Sequence, residues 1–314
     1  MQGVNTIAAL AAAVSRKHSV AHLGRARLGR KAGLMLAAVA AGLALSLPAH
    51  ADNPNKGKMF KVAADVGLVP FFMRGTDGKM DGFSNDLTQE VAQRMGYDGA
   101  EVIDTPFSAI FAGLFSSRYD MVAAPTNTTQ ERAQQMLFAE PYMAGGLSFL
   151  AKKGAIVNSL EDLKDKTIAV NNGSFSDRWL QENQEKYGYK IQRFNKNTDA
   201  VQAVAIGRAF ANMSETPLAR YIATKTPALA PVYDMTTEAN YAFAFRKDDT
   251  ALRNRVDEVL ECMKQDGSLS KLHVKWFGTE PNAGTAMTVV FPGYGAPDFS
   301  GYEPTEHTPD CSRP

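Results

Sequence analysis

From Met59 onward the chain alternates strand-like with helix-like stretches, stops, and then begins the same alternation again. "MFKVAADVG" reads as a strand ending at Gly67. "VPFFMRGTDGKMDGF" follows, with a turn at Asp77-Gly78. Leu87, Val91, Ala92 and Met95 recur at helical spacing and halt at Gly96, a residue suited to the position just past a helix. "AEVIDT" is a second strand, Phe107, Ile110, Phe111 and Leu114 a second helical stripe, and "YDMVAAP" a third strand. The pattern restarts in "LEDLKDKTIAVNNGSFSDRWL", which holds a helical turn, the strand "KTIAV", a loop and a new helix. "YKIQRF" and "RAFANM" continue as strands, "TDAVQAVAIG" and "ETPLARYIATK" as helices. "NYAFAFRKDD" then carries a strand into a last helix with Leu252, Val256, Leu260 and Met263 on one stripe. Such a chain builds α/β layers with parallel sheets, here two units in series. The tail from about Glu280, rich in Gly, Pro and Tyr, is expected to lie over the surface as ordered loop.

The first 51 residues are chemically unlike the rest. They hold Arg16, Lys17, Arg25, Arg27, Arg30 and Lys31 but no acid, then an apolar run from Ala32 to Leu47 ending in "SLPAHA". This order describes a secretory signal peptide, with cleavage expected after Ala51 and delivery to the periplasm. Without those six of its 34 Lys and Arg, the chain keeps 28 against 33 acids, a net charge of −5 with His neutral. That balance excludes nucleic acid as an expected partner, because phosphate binding needs a basic face. Both cysteines, Cys262 and Cys311, lie in the exported part, where a disulfide persists. Cys262 sits in a helical stripe and also reads as a small buried hydrophobe, whereas Cys311 in "HTPDCSRP" has no apolar neighbours to bury it.

Catalytic patterns are missing. The exported part has only His273 and His307, both near the end, and no Cys/His spacing for zinc, no Gly-rich phosphate loop and no serine elbow. No metal or cofactor is expected. In open α/β sheets ligands sit at the carboxyl ends of the strands. The chemically rich ends are Asp65, the segment Pro125–Arg132, the segment Asn171–Asp177, and Met213–Glu215. Within "TTQERAQQMLFAEPY" Thr128 and Thr129 suit a helix N-cap and Glu131 suits the first turn. Arg132 does not, since a cation there opposes the helix dipole. It makes sense if an anion is shared between its guanidinium and nearby N–H groups.

Four longer stretches carry a resemblance: "DGFSNDLTQEVAQRMG", "DMVAAPTNTTQERAQQMLFAEPY", "LEDLKDKTIAVNNGS" and "YAFAFRKDDTALRNRVDEVLECMKQDGSLSKLHVKWFG". From about Lys61 to Gly278 the chain resembles the periplasmic amino-acid-binding proteins of ABC importers, the group that includes glutamine-, histidine- and lysine/arginine/ornithine-binding proteins. The resemblance implies the type II periplasmic-binding-protein fold, two α/β lobes joined by a two-strand hinge. Expected spans are 52–147 and 243–280 for lobe 1, 148–242 for lobe 2, and 281–314 for a C-terminal extension, with crossovers near Leu147–Leu150 and Tyr241–Phe245. It implies a monomer that captures a small molecule and delivers it to a membrane permease.

By the same resemblance Arg132 would hold a ligand α-carboxylate bidentately, with Thr129 and Asn127 beside it. Glu215 stands where the family places an aspartate against the ligand ammonium, although as a helix-start acid it also has a local role. Asp65 matches a residue that touches the ligand side chain, and Phe107 an aromatic platform; a turn acid and a core residue remain open for these two. Asn171 would contact the side chain, and the N–H groups near Ser174 and Phe175 would meet the carboxylate from the second lobe. The sequence departs from the pattern at Leu68, in place of an aromatic lid, at Pro125, in place of a glycine, and at Phe210, in place of an aspartate. A modified amino acid, an opine or a small carboxylate therefore stay open as ligands. Two other functions remain open: a periplasmic dehydratase of the cyclohexadienyl type on this fold, with Glu215 as its acid, and a ligand-sensing accessory protein.

Overall fold

Phe60, Val62, Ala63 and Ala64 lose all exposure in Met59–Ala64 (β1), the strand around which the first sheet is laid. The computed structural model describes residues 53–312; the leader and its expected cleavage after Ala51 lie outside them. A short hairpin, Met73–Arg74 (β2) with Met80–Asp81 (β3), turns at Asp77-Gly78 and leads into helix Phe83–Arg94 (α1). Gly99–Asp104 (β4), Phe107–Phe115 (α2), Met121–Asn127 (β5), Gln130–Gln135 (α3), Leu137–Phe138 (β6) and Met143–Ala144 (β7) follow. Leu87, Val91 and Ala92 of α1 and Ile110 and Leu114 of α2 are fully buried, as their spacing requires.

The second unit runs through Leu147–Lys152 (β8), a 3-10 turn at Leu160–Leu163, Thr167–Asn171 (β9) and Phe175–Tyr187 (α4). It continues with Lys190–Phe194 (β10), Asn197–Ala205 (α5), Ala211–Glu215 (β11), Thr216–Lys225 (α6) and Leu229–Met235 (β12). Ser174 caps α4 by accepting the Asp177 N–H at 3.0 Å, and Gly188 ends it in the left-handed conformation. The chain then returns as Asn240–Phe245 (β13) and closes with helices Thr250–Gln265 (α7) and Ser268–Phe277 (α8).

Two sheets result. The first has the order β4-β1-β5-β13-β6, with β7 also on β13; the second has the order β10-β9-β11-β8-β12. The strands fed by helical crossovers, β1 with β4 and β5, and β9 with β10 and β11, pair in parallel. The strands that arrive straight from the other sheet, β8 and β13, pair antiparallel with β11 and β5. By strand membership the first sheet is left after Ala144 and regained at Asn240, so the junctions fall before the expected boundaries at 147 and 242. Leu147–Leu150, read from sequence as a crossover, is strand β8 of the second sheet. β12 was not expected from the sequence; its register slips between Pro231 and Tyr233, where a proline without an N–H is tolerated.

Residues 280–312 form neither helix nor sheet, yet they are held at many points. Fully buried Arg253 of α7 donates to the Gly301 carbonyl at 2.9 Å and to Glu303 at 2.7 Å. Asp257 accepts the Gly295 N–H, and Lys264 donates to the Val289 carbonyl at 2.9 Å. His307 lies 3.0 Å from Glu261 and stacks on Tyr294. Cys262 and Cys311 are joined in a disulfide across a separation of 49 residues.

Replacing both cysteines by serine should lower unfolding free energy by up to about 4 kcal/mol, the loop-entropy value for this span. Urea denaturation of the two proteins measures it, and equal midpoints and slopes would show that the polar contacts alone hold the tail.

Candidate functional site

The carboxyl ends of β1, β5, β9, β10 and β11 meet between the two sheets. They supply Asp65, Asn127 with Arg132, Asn171, Lys196 and Glu215 respectively. Leu68, Phe107 and Pro125 from the first unit and Asn171, Ser174, Ser176, Asn197, Met213, Ser214, Glu215 and Leu218 from the second line one small cavity of about 10 Å³. That volume holds a water molecule at most, so an amino acid enters only if the units part.

Arg132 follows a short helix start. Thr129 is the N-cap of α3, its hydroxyl accepting the Arg132 N–H at 3.2 Å. The guanidinium turns back from the helix, donates to the Asn127 carbonyl at 3.0 Å, and lies over the rings of Phe107 and Phe111 at 5.5 and 5.2 Å. Burial lowers its pKa to about 10, against the pull of Glu215, which leaves it charged at neutral pH. On its outer side Arg132 also lines a groove of about 480 Å³ with Glu131, Ser174, Asp177 and Arg178.

Glu215 ends β11 and is the N-cap residue of α6, with Pro217 in the first turn. Burial raises its pKa, while its own backbone N–H, the charge of Arg132 and the Ser176 hydroxyl act the other way. Asn127 and Ser176 both approach its Oε1 at 3.5 Å, one from each unit. Around this pair several buried polar atoms have no protein partner: Asn127 Oδ1, Asn171 Oδ1, Asn197 Nδ2, Ser214 Oγ and Tyr241 Oη. Buried polar groups left unmade cost about 1–3 kcal/mol each; three of these, on Asn171, Asn197 and Ser214, belong to residues that line the cavity, which suits it to a polar guest.

Asp65 is fully engaged by the chain. Its Oδ2 accepts the Phe107 N–H at 3.1 Å and Asn171 Nδ2 at 3.0 Å, and its Oδ1 accepts Lys196 Nζ at 2.8 Å. Lys196 also reaches Asp104 at 2.6 Å. Two further contacts cross between the units: Arg178 with Glu131, and Gly173 with Ser108. At Gly173, with φ of +76°, an added Cβ would stand 3.1 Å from the Ser108 Cα, so any other residue is strained in its backbone and crowds Ser108.

Of the residues expected from sequence, Phe107, Asn171, Ser174 and Glu215 line the cavity, and Asn127 joins it through Glu215. Arg132 and Thr129 stand one layer out, and Asp65 is behind Asn171 and Phe107. The Phe175 side chain packs on the second unit's core. Lys196, Ser176, Asn197 and Ser214 were missed. Lys196 carried a usable signal, since it closes "YKIQRFNK" at a strand end, the rule that found the other segments.

Two α/β units that meet across such a polar cleft define the type II periplasmic-binding-protein fold. The model of the bacterial extracellular solute-binding proteins, family 3, matches residues 60–279, and the chain belongs to that family. It is similar to the L-cystine-binding protein TcyJ of Escherichia coli strain K12, 29% identical over 267 residues that cover 83% of this chain and 98% of the relative. Among solved structures it is similar to an ancestral arginine-binding protein bound to arginine, with TM-score 0.67 and 30% identity, covering 70% of this chain and 98% of that one. An ancestral amino acid-binding protein, a precursor of cyclohexadienyl dehydratase, matches with TM-score 0.63 and 33% identity over 70% and 95% of the two chains.

Burial holds the Glu215 pKa above its ordinary 4.5, so between that value and its folded-state pKa the folded chain binds more of this proton than the unfolded chain does. Stability conferred by that proton falls as pH rises from about 4.5 through the folded-state pKa. Glu215→Gln should therefore gain in melting temperature relative to the unmodified protein as pH rises above about 4.5. A difference that stays constant across that range would mean the carboxyl is solvated.

Proposed function

We propose that this chain is the periplasmic solute-binding component of an ABC importer, capturing an amino acid or a related small amino/carboxylate compound between its two units. The observation that carries the reading is one buried cation, Arg132 of the first unit, and one buried carboxyl, Glu215 of the second, near enough for each to act on the other's pKa, beside a cavity with buried polar atoms that lack protein partners. A zwitterion supplies the complement of both: a carboxylate for the guanidinium and an ammonium for the carboxylate. The relatives named above for cystine and arginine binding support an amino acid as the class of ligand.

In this reading Asn127 and Thr129 assist at the carboxylate from the first unit, the N–H groups near Ser174 and Phe175 approach it from the second, and Phe107 and Asn171 border the side chain. The two sheets act as lobes that part to admit the ligand and close over it, flexing at residues 145–146 and 236–239, and the loaded monomer is handed to a membrane permease. The leader is removed after Ala51. The chain is a binding protein and performs no turnover. A dehydratase is the second reading, supported by the raised pKa of Glu215, which suits an acid that protonates a leaving hydroxyl, and by the likeness to the dehydratase precursor. Turnover of prephenate or arogenate would establish it.

Arg132→Ala should weaken binding of the amino acid that gives the largest thermal shift by about 3–5 kcal/mol, or about two to three and a half decades. Titration calorimetry measures it. A loss below about threefold, roughly 0.7 kcal/mol, would remove Arg132 from the ligand.

A further inference from the structure

Lys196 poses the same question as Arg132: it is the residue just before α5, a place where a cation opposes the helix dipole. Its ammonium is not turned to solvent. It reaches across from the second unit to the first and bridges two carboxylates, Asp65 at 2.8 Å and Asp104 at 2.6 Å. The Asp65 side chain is 1% exposed and stands directly behind Phe107 and Asn171, which line the cavity. Burial works against the lysine charge, but the bonds to Asp104 and Asp65 outweigh it and raise its pKa, so the ammonium stays charged and in place.

We propose that Lys196 fills, from within the chain, the position that a cationic ligand side chain would take at Asp65, so that the cleft admits amino acids with compact uncharged side chains and turns away cationic ones. The proposal rests on the amino-acid reading above. Both oxygens of Asp65 are already hydrogen-bonded, leaving an incoming guanidinium or ammonium to face a like charge. Besides the uncharged polar side chains of the second unit, the cavity wall holds Leu68, Phe107, Pro125, Met213 and Leu218, and Glu215 is its one carboxylate. The apolar residues suit a short aliphatic side chain and offer no carboxylate to a long cationic one.

Calorimetry of the exported protein with glycine, L-alanine, L-serine, L-arginine and L-lysine tests this, alongside Lys196→Ala and the double variant Lys196→Ala/Asp65→Asn. The unmodified protein should prefer at least one neutral amino acid over both cationic ones by about tenfold or more, which is about 1.4 kcal/mol. Lys196→Ala should gain at least about tenfold for L-arginine or L-lysine, and the added Asp65→Asn should abolish the gain. If Lys196→Ala does not fold, Lys196→Gln removes the charge and keeps most of the stem, and it should shift the preference in the same direction. Binding of L-arginine by the unmodified protein as tight as its best neutral ligand overturns this proposal and leaves the amino-acid reading standing. So does a lysine variant with no gain for cations. Failure of every protein to bind any amino acid overturns both.

Discussion

The pairing of β13 with β5 sets where everything else stands. Tyr241 and Ala242 lie opposite Asn127 and Thr126, and the Thr128 N–H is held by the Asn240 carbonyl at 2.9 Å. Gly145 donates to the Ala239 carbonyl at 3.0 Å beside them. The outgoing and returning chains therefore run together where they leave the first sheet, and the second sheet hangs from both. One consequence is that the strand carrying Asn127 and leading to Arg132 is anchored at the junction itself. Another is that the carboxyl ends of both sheets are turned onto the same cleft, which brings Glu215 to Asn127.

Within that cleft the charges are arranged by burial. Arg132 and Glu215 each have a pKa moved towards neutrality by desolvation and restrained by the other's charge, the state of two ions that share a dry site without a close contact. Asp65 and Lys196 took the other course and paired directly. The contrast separates the two ends of the cleft. Arg132 and Glu215 retain unspent attraction for a partner of opposite sign, whereas Asp65 does not. The proposed capture of a zwitterion with an uncharged side chain would use this asymmetry.

The C-terminal extension answers a different physical need. Arg253, Asp257 and Glu261 are buried on α7, where a polar face would be costly without partners. The carbonyl of Gly301, the N–H of Gly295 and the ring of His307 supply them, and the disulfide ends the same face at Cys262. The extension is thus a cover over α7 of the first unit, and most of its bonds are to that helix rather than to the second sheet.

Much of the architecture was legible in the residues. Alternating apolar periods gave both α/β units, Gly96 a helix stop, and the isolated Cys311 its need for Cys262, because each of these is a local property of the chain. "YAFAF" was readable as a strand, but its antiparallel place between β5 and β6 was not, since pairing depends on a partner more than a hundred residues away. The candidate site divides along the same line. Arg132 announced itself as a charge in an unusual local setting that needs a partner, whereas Glu215, at home at a helix start, was singled out by the family resemblance. Only the tertiary structure decided that Asp65 has its partner already in Lys196, 131 residues along the chain. Local sequence records which charges are uncomfortable; whether a charge is relieved depends on what the fold brings within about 3 Å of it, and electrostatic contact in a buried site falls off too steeply to be read from spacing along the chain.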